Sequence, residues 1–239
     1  MFLFPVAVIT ISALLTTVSN FFTSNDIDKT KINDLSLCSV VPTLTDTIVV
    51  SLKSLTNQEP LIVGPGTRTG IQINYDRTQD VGADRIANAV AVNHIYGNPA
   101  IVIDMGTATV FDVMIKGPKY IGGAIAPGIQ VSAEAIARET SQLPKVELVA
   151  PPNVIGKNTI ESIQSGFVYG FVHMIEGMTK RIKTKIHKNE RDLVKVIATG
   201  GLAHIITPHT NIFYDVNKNL TLHGLRVIKD INQKDKPVK

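Results

Sequence analysis

Two hydrophobic periods alternate along this chain. Residues 4–11, "FPVAVITI", are continuous and β-branched, the pattern of a buried strand. In "SALLTTVSNFF" just after, Leu14, Leu15, Val18 and Phe22 fall at helical spacing. "LSLCSVV" reads as a short buried strand ended by Pro42, "TLTDTIVVSLKSL" as a helix, and "PLIVGPG" as a strand entering a Gly-Pro-Gly turn. "GADRIANAVAVNHIYG" predicts a helix with Ile86, Val90 and Ile95 on roughly one face. "IVIDMGTATVFDVM" reads as strand, tight turn and strand, and "YIGGAIAPG" as a further strand. "SAEAIARET" predicts a helix capped by Ser132 with Glu134 in its first turn. The long helix opens at "NTIES", where Asn158 and Glu161 have capping-box spacing. Gly166 and Gly170 within it have the spacing of close helix packing, and His173 on it reads as structural. "VKVIATGGLAHII" is a strand, a Gly-Gly turn and a helix start, and "LTLHGLRVI" is a final strand or helix. Strands alternating with helices place the chain in the α/β class. A boundary near Asn98-Pro99 divides it into 1–98 and 99–239.

Composition narrows the partners. With 44% hydrophobic residues the chain can fill a core and is not disordered. The formal charge of +4 is mild, and no Lys/Arg stripe interleaves with aromatics, so nucleic acid is not an expected partner. Cys38 has no second cysteine to pair with, which excludes an internal disulfide and a cysteine-based zinc site and fits a reducing, cytoplasmic setting. The N-terminal apolar stretch has no Lys or Arg ahead of it and is broken by Pro5, Ser and Thr. It reads as strand plus helix, with a membrane or export segment as the alternative.

Five stretches could carry chemistry. Asp104 ends one apolar run, and Gly106-Thr107-Ala108-Thr109 follows it. Such a turn can hold phosphate oxygens while the acid holds a cation; otherwise these are ordinary strand residues and a turn cap. Asp84-Arg85 opens a helix, where an acid gains from the macrodipole or takes a proton from a substrate hydroxyl, with Arg85 on an anionic group. The glycines of "GPGTRTG", residues 64–70, and Gly122-Gly123 either admit a ligand close to the backbone or simply turn the chain. Gly200-Gly201 suits a nucleotide but lacks the third glycine of a dinucleotide fingerprint.

In their order, "GPGTRTG", "GADRIANAVA", "DMGTATVFDV", "YIGGAIAPGI", "SAEAIARETSQLPKVEL", "IGKNTIESIQSGFVYGF" and "VIATGGLA" resemble type III pantothenate kinase over residues 30–230. The resemblance implies an actin-like, hexokinase-like ATPase fold of two RNase-H-like halves with a cleft between them. It implies a homodimer that phosphorylates the 4′-hydroxyl of pantothenate with ATP, Mg²⁺ and K⁺ or NH₄⁺, the first step to coenzyme A. By motif, Asp84 corresponds to the catalytic base, and Gly82, Ala83 and Arg85 flank it at the substrate. Asp104 matches the monovalent-cation ligand, and Gly106, Thr107, Ala108 and Thr109 match a phosphate-binding turn. Gly64 and Tyr75 resemble the pantothenate side, Thr159 a pantothenate contact supplied across the dimer, and Gly200 and Gly201 the adenosine side.

One departure is expected to matter. The family's "Asp-x-Gly-Asn-Thr" turn is not found in this sequence, so the first half reads as N-terminally truncated, with weakened Mg-ATP binding and turnover. "FPVAVITI" is a candidate replacement strand. A non-catalytic binding or regulatory homologue, or a kinase for another small alcohol, are the alternatives.

Overall fold

The computed structural model describes residues 11–233, so the strand expected at 4–11 lies outside the described residues except for Ile11, which opens a helix. The described chain forms two compact units. One takes residues 11–70, 76–91 and 221–233; the other takes 71–75 and 92–220.

The second unit is built on a six-stranded sheet. Its strands are β3 (Gln72–Ile73), β4 (Ala100–Met105), β5 (Ala108–Ile115), β6 (Lys119–Pro127), β7 (Lys195–Thr199) and β8 (Asp215–Val216). They lie in the order β3-β6-β5-β4-β7-β8. β5 runs antiparallel to both β4 and β6, while β7 runs parallel to β4 and β8 parallel to β7. The central strand β4 is buried along almost its whole length, which accounts for its unbroken apolar run.

One face of this sheet carries the core. Ile101, Ile103, Met105, Phe111 and Val113 pack with helix α5 (Thr159–Lys185) and helix α6 (Ala203–Ile206). Along α5 the buried positions are Ser165, Phe167, Val168, Val172, Ile175 and Thr179, a stripe at helical spacing. Each large apolar side chain buried there contributes about 1.5–3 kcal/mol. Asn158 caps α5 by accepting from the Glu161 amide at 2.9 Å. The Glu161 carboxylate reaches back to the Lys157 amide at 3.0 Å, one residue before the amide a capping box would use. Gly166 and Gly170 are exposed on the face opposite the stripe, and a Cβ on either would meet open space. Their spacing therefore serves no helix packing within the described residues.

Helix α4 (Ile129–Glu139) starts four residues earlier than its sequence suggests, with Gly128 and not Ser132 at its cap. The Gly128 amide donates to the Thr107 carbonyl at 3.0 Å, which ends β6 and turns the chain into the helix. Ser132 then falls inside the first turn and donates to the Gly128 carbonyl at 2.9 Å.

The first unit contains α1 (Ile11–Ser24) packed on α2 (Pro42–Thr56), and the two-stranded parallel sheet of β1 (Ser36–Leu37) and β2 (Leu61–Ile62). Its third helix is the opening of α3 (Ala83–Ile95), residues 83–91, buried through Ile86, Ala87, Ala89, Val90 and Ala91. Ile95 is 43% exposed. Nine residues past Ile86, at about 100° per residue, it has rotated to the opposite side of the helix. "LTLHGLRVI" forms helix α7 (Leu220–Gln233), whose residues 221–233 join this unit. Gly224 lies against the Ala87 backbone, Thr221 donates to Asn88 at 2.7 Å, and Asn232 exchanges hydrogen bonds with the backbone of Arg68. No helix of the described residues is long and apolar enough to cross a membrane.

Candidate active site

In the first unit the expected substrate residues cluster at the start of α3. Asp84 is half-buried in the first turn, and its Oδ1 accepts from the Arg85 amide at 2.8 Å. That contact folds the carboxylate back over Gly82, where any Cβ would strike Oδ1. Gly82 is thus the only residue that lets the acid take this orientation. Ala83 is buried beneath and Arg85 is partly exposed. Cys38 faces the same carboxylate: burial first, and the Asp84 charge second, push its thiol up to about 11. Gly64 opens a separate turn. Thr67 closes it, its amide donating to the Gly64 carbonyl at 3.0 Å and its hydroxyl accepting from the Gly64 amide at 3.1 Å. A Cβ at Gly64 would meet open space, so the backbone of this turn is accessible.

In the second unit Asp104 ends β4 and the turn Gly106-Thr107 joins it to β5, with Met105 paired to Thr109 and the Gly106 amide donating to the Ala108 carbonyl at 2.9 Å. Thr107 is exposed at the tip, whereas Thr109 is 2% exposed, so only one of the two hydroxyls faces open space. Two glycines from other strand ends close on this turn. Gly128 lies against the Gly106 and Thr107 carbonyls, and Gly200 against the Met105 carbonyl and Asp104 Oδ1. Gly200 has φ +93° and no room for a Cβ, so a backbone without a side chain is required there. The sequence reading named Gly200 but missed Gly128, because its partner is the hairpin turn and not a neighbour in the chain.

Gly200 and the exposed Gly201 lead into α6, and α6 forms one wall of a cavity of about 660 Å³. Gln130 and Glu134 of α4, Lys145, Leu148, His204 and His209 line it. Tyr75 follows β3 and is 39% exposed, with its ring over Gly122. Thr159 is exposed at the first position of α5.

Cation binding can be tested against the donors. Asp104 Oδ1 and the Met105 carbonyl both border Gly200, and a carboxylate with a carbonyl is an oxygen set suited to a hard cation. Among the described residues no group of three or more His, Cys, Asp and Glu gathers that could hold a metal ion.

A five-stranded run in the order β6-β5-β4-β7-β8, with an acid at the end of its central strand and a Gly-Thr hairpin turn beside it, defines an α/β protein of the actin-like ATPase fold. A Campylobacter jejuni protein described as a Baf family transcriptional activator is similar in fold, with a TM-score of 0.58 and 20% identity over 91% of this chain and 89% of that one. The sequence goes further: residues 9–181 match the type III pantothenate kinase family, and the chain belongs to that family. A type III pantothenate kinase of Dehalococcoides mccartyi is 46% identical over 203 residues, 85% of this chain and 77% of the relative. One of Moorella thermoacetica is 44% identical over 206 residues, and one of Geotalea daltonii 43% over 216, covering 80% and 83% of those relatives.

Proposed function

We propose that this chain transfers the γ-phosphoryl group of ATP to the 4′-hydroxyl of pantothenate, the first step of coenzyme A synthesis. Membership of the family, with both acids at the ends of their elements, carries the reading. Asp84 takes the hydroxyl proton. The alcohol oxygen bonds to the γ-phosphorus as the bond to the β–γ bridging oxygen breaks, and ADP leaves. Phosphoryl transfer asks mainly for positioning and charge neutralisation, which this residue set can supply. Arg85 is the partner for the pantothenate carboxylate, with Gly64, Tyr75, Gly82 and Ala83 on the same substrate. The turn 106–109 receives the phosphates, and the cavity beside Gly200-Gly201 is the place for the nucleotide base. Asp104 would hold K⁺ or NH₄⁺ through oxygen, and Mg²⁺ would enter with the nucleotide; bound cations neutralise the phosphate charge.

The working form we propose is a cytoplasmic homodimer in which Thr159 serves the partner's pantothenate. Exposed Ile125 (64%), Val154 (64%), Ile155 (79%) and Ile160 (51%) support this, since apolar side chains are costly to leave in water. The boundary near Asn98-Pro99 belongs to the same proposal.

The test is ATP-dependent phosphorylation of pantothenate with and without K⁺, by this chain and by Asp84→Asn. Turnover should require the monovalent cation, and the variant should lose about 10²–10⁴-fold. Pantothenate binding without turnover would instead favour a non-catalytic role, and turnover only on another alcohol would move the substrate.

A further inference from the structure

Asp112 and Tyr120 have no role in the function above, yet both are fully buried. A carboxylate taken out of water is costly unless it is hydrogen-bonded. Here the Tyr120 hydroxyl donates to Asp112 Oδ1 at 2.8 Å. The pair exists because of a fault in the sheet. Opposite Val113 of β5, strand β6 carries two residues, Ile121 and Gly122, where one would continue the register. This bulge returns Tyr120, paired with Met114, to the face that carries Asp112, paired with Gly123. Without it the tyrosine would point to the other side.

The same bulge sets the bed for Tyr75. That residue leaves the two-residue edge strand β3, which is held to β6 by the Gln72 amide on the Pro118 carbonyl at 2.9 Å and the Asn74 amide on the Tyr120 carbonyl at 2.8 Å. So short a strand anchors backbone but leaves a ring free to swing. Two surfaces fix it. Gly122, at φ +99°, lies under the ring, and a Cβ there would come within 3.2 Å of it. The Tyr120 ring stands beside it, centroids 6.3 Å apart and tilted by 43°.

We infer that Asp112, Tyr120 and Gly122 are positioning residues for pantothenate: Asp112 orients Tyr120, and Tyr120 with Gly122 orients Tyr75 as a wall for that substrate. This rests on the reading of the chain as a pantothenate kinase. Tyr75, at the end of these contacts, is the residue that the reading above places on pantothenate, so loss of its support should separate the two substrates.

The experiment is steady-state kinetics of Tyr120→Phe, Gly122→Ala and Asp112→Asn, with thermal melting to establish that each is folded and calorimetric pantothenate binding alongside. Tyr120→Phe removes one hydroxyl and should raise the KM for pantothenate about five- to tenfold, leaving the KM for ATP unchanged. Gly122→Ala, which pushes on the Tyr75 ring, should do the same. Asp112→Asn keeps an acceptor for the tyrosine and should stay within about twofold of the parent. Unchanged pantothenate KM and affinity in folded Tyr120→Phe overturns this inference alone. Equal losses toward both substrates mark a merely structural pair and also overturn it. A parent chain that neither binds nor phosphorylates pantothenate overturns the kinase reading, and this inference with it.

Discussion

At the scale of single residues, the acid Asp84 conditions its neighbours as much as any substrate. The pKa of the Cys38 thiol is pushed up to about 11 in the folded chain, against an ordinary value of 9.0, because it is half-buried and faces the Asp84 charge. The unfolded chain therefore releases this proton first as pH rises. The thiol's contribution to stability is whole below about pH 9 and is lost between about pH 9 and 11. Urea midpoints of the parent and Cys38→Ser should diverge from their low-pH difference across that window; a constant difference would show that the thiol does not titrate this way. Tyr96 is also raised, by burial and then by its hydrogen bond to Asp215, but it is common to both chains and cancels. Sequence alone singled out Asp104 because an acid at the end of an apolar run is chemically out of place, and Asp84 because it stands beside Arg85 within a motif that carries the family resemblance. It could not expose Asp112 with Tyr120, since their meeting depends on one extra residue in β6 that shifts register without any composition signal.

At the scale of elements, periodicity was a good guide where one face is buried and the other wet. α5 and α2 are of that kind, and β4 with β5 were readable as two apolar runs about a turn. Boundaries were readable only where the cap is local: Asn158 was, whereas the start of α4 is set by a hydrogen bond to Thr107 from elsewhere in the fold. α7 was ambiguous because Leu220, Leu222 and Leu225 satisfy neither period by themselves; burial of Leu220, Leu225 and Ile228 resolves it as a helix. The close approach of β7's end to the hairpin turn is testable at this scale. In Gly200→Ala the new methyl would meet the Met105 carbonyl and Asp104 Oδ1, at a backbone angle costly for alanine. ATP affinity should fall by about tenfold or more and activation by K⁺ should weaken, while pantothenate binding by calorimetry stays as in the parent. Unaltered ATP affinity would remove the turn from the nucleotide site.

At the scale of the whole molecule, the homodimer proposed above makes its own demand. Among the described residues Ile155 is the most exposed large apolar side chain, at 79%. Placing a carboxylate there by Ile155→Asp should cost nothing in a free chain and should weaken a dimer that buries it. Sedimentation velocity should then show the variant shifted toward monomer, with reduced turnover if the partner's Thr159 is needed. A parent chain that sediments as a monomer would sink the dimer and the role of Thr159 together.

The last helix carries a consequence for biogenesis. The first unit is assembled from residues near both ends of the described chain, since α7 lays Gly224 on Ala87 and ties Asn232 to Arg68. On the ribosome its early helices emerge long before α7 is made, and their apolar surfaces must wait, exposed to chaperones, while the intervening unit is synthesised. Strands β4 to β8 of the second unit follow one another within 92–220, so that sheet can form without α7, whereas the first unit cannot be completed until α7 has been made.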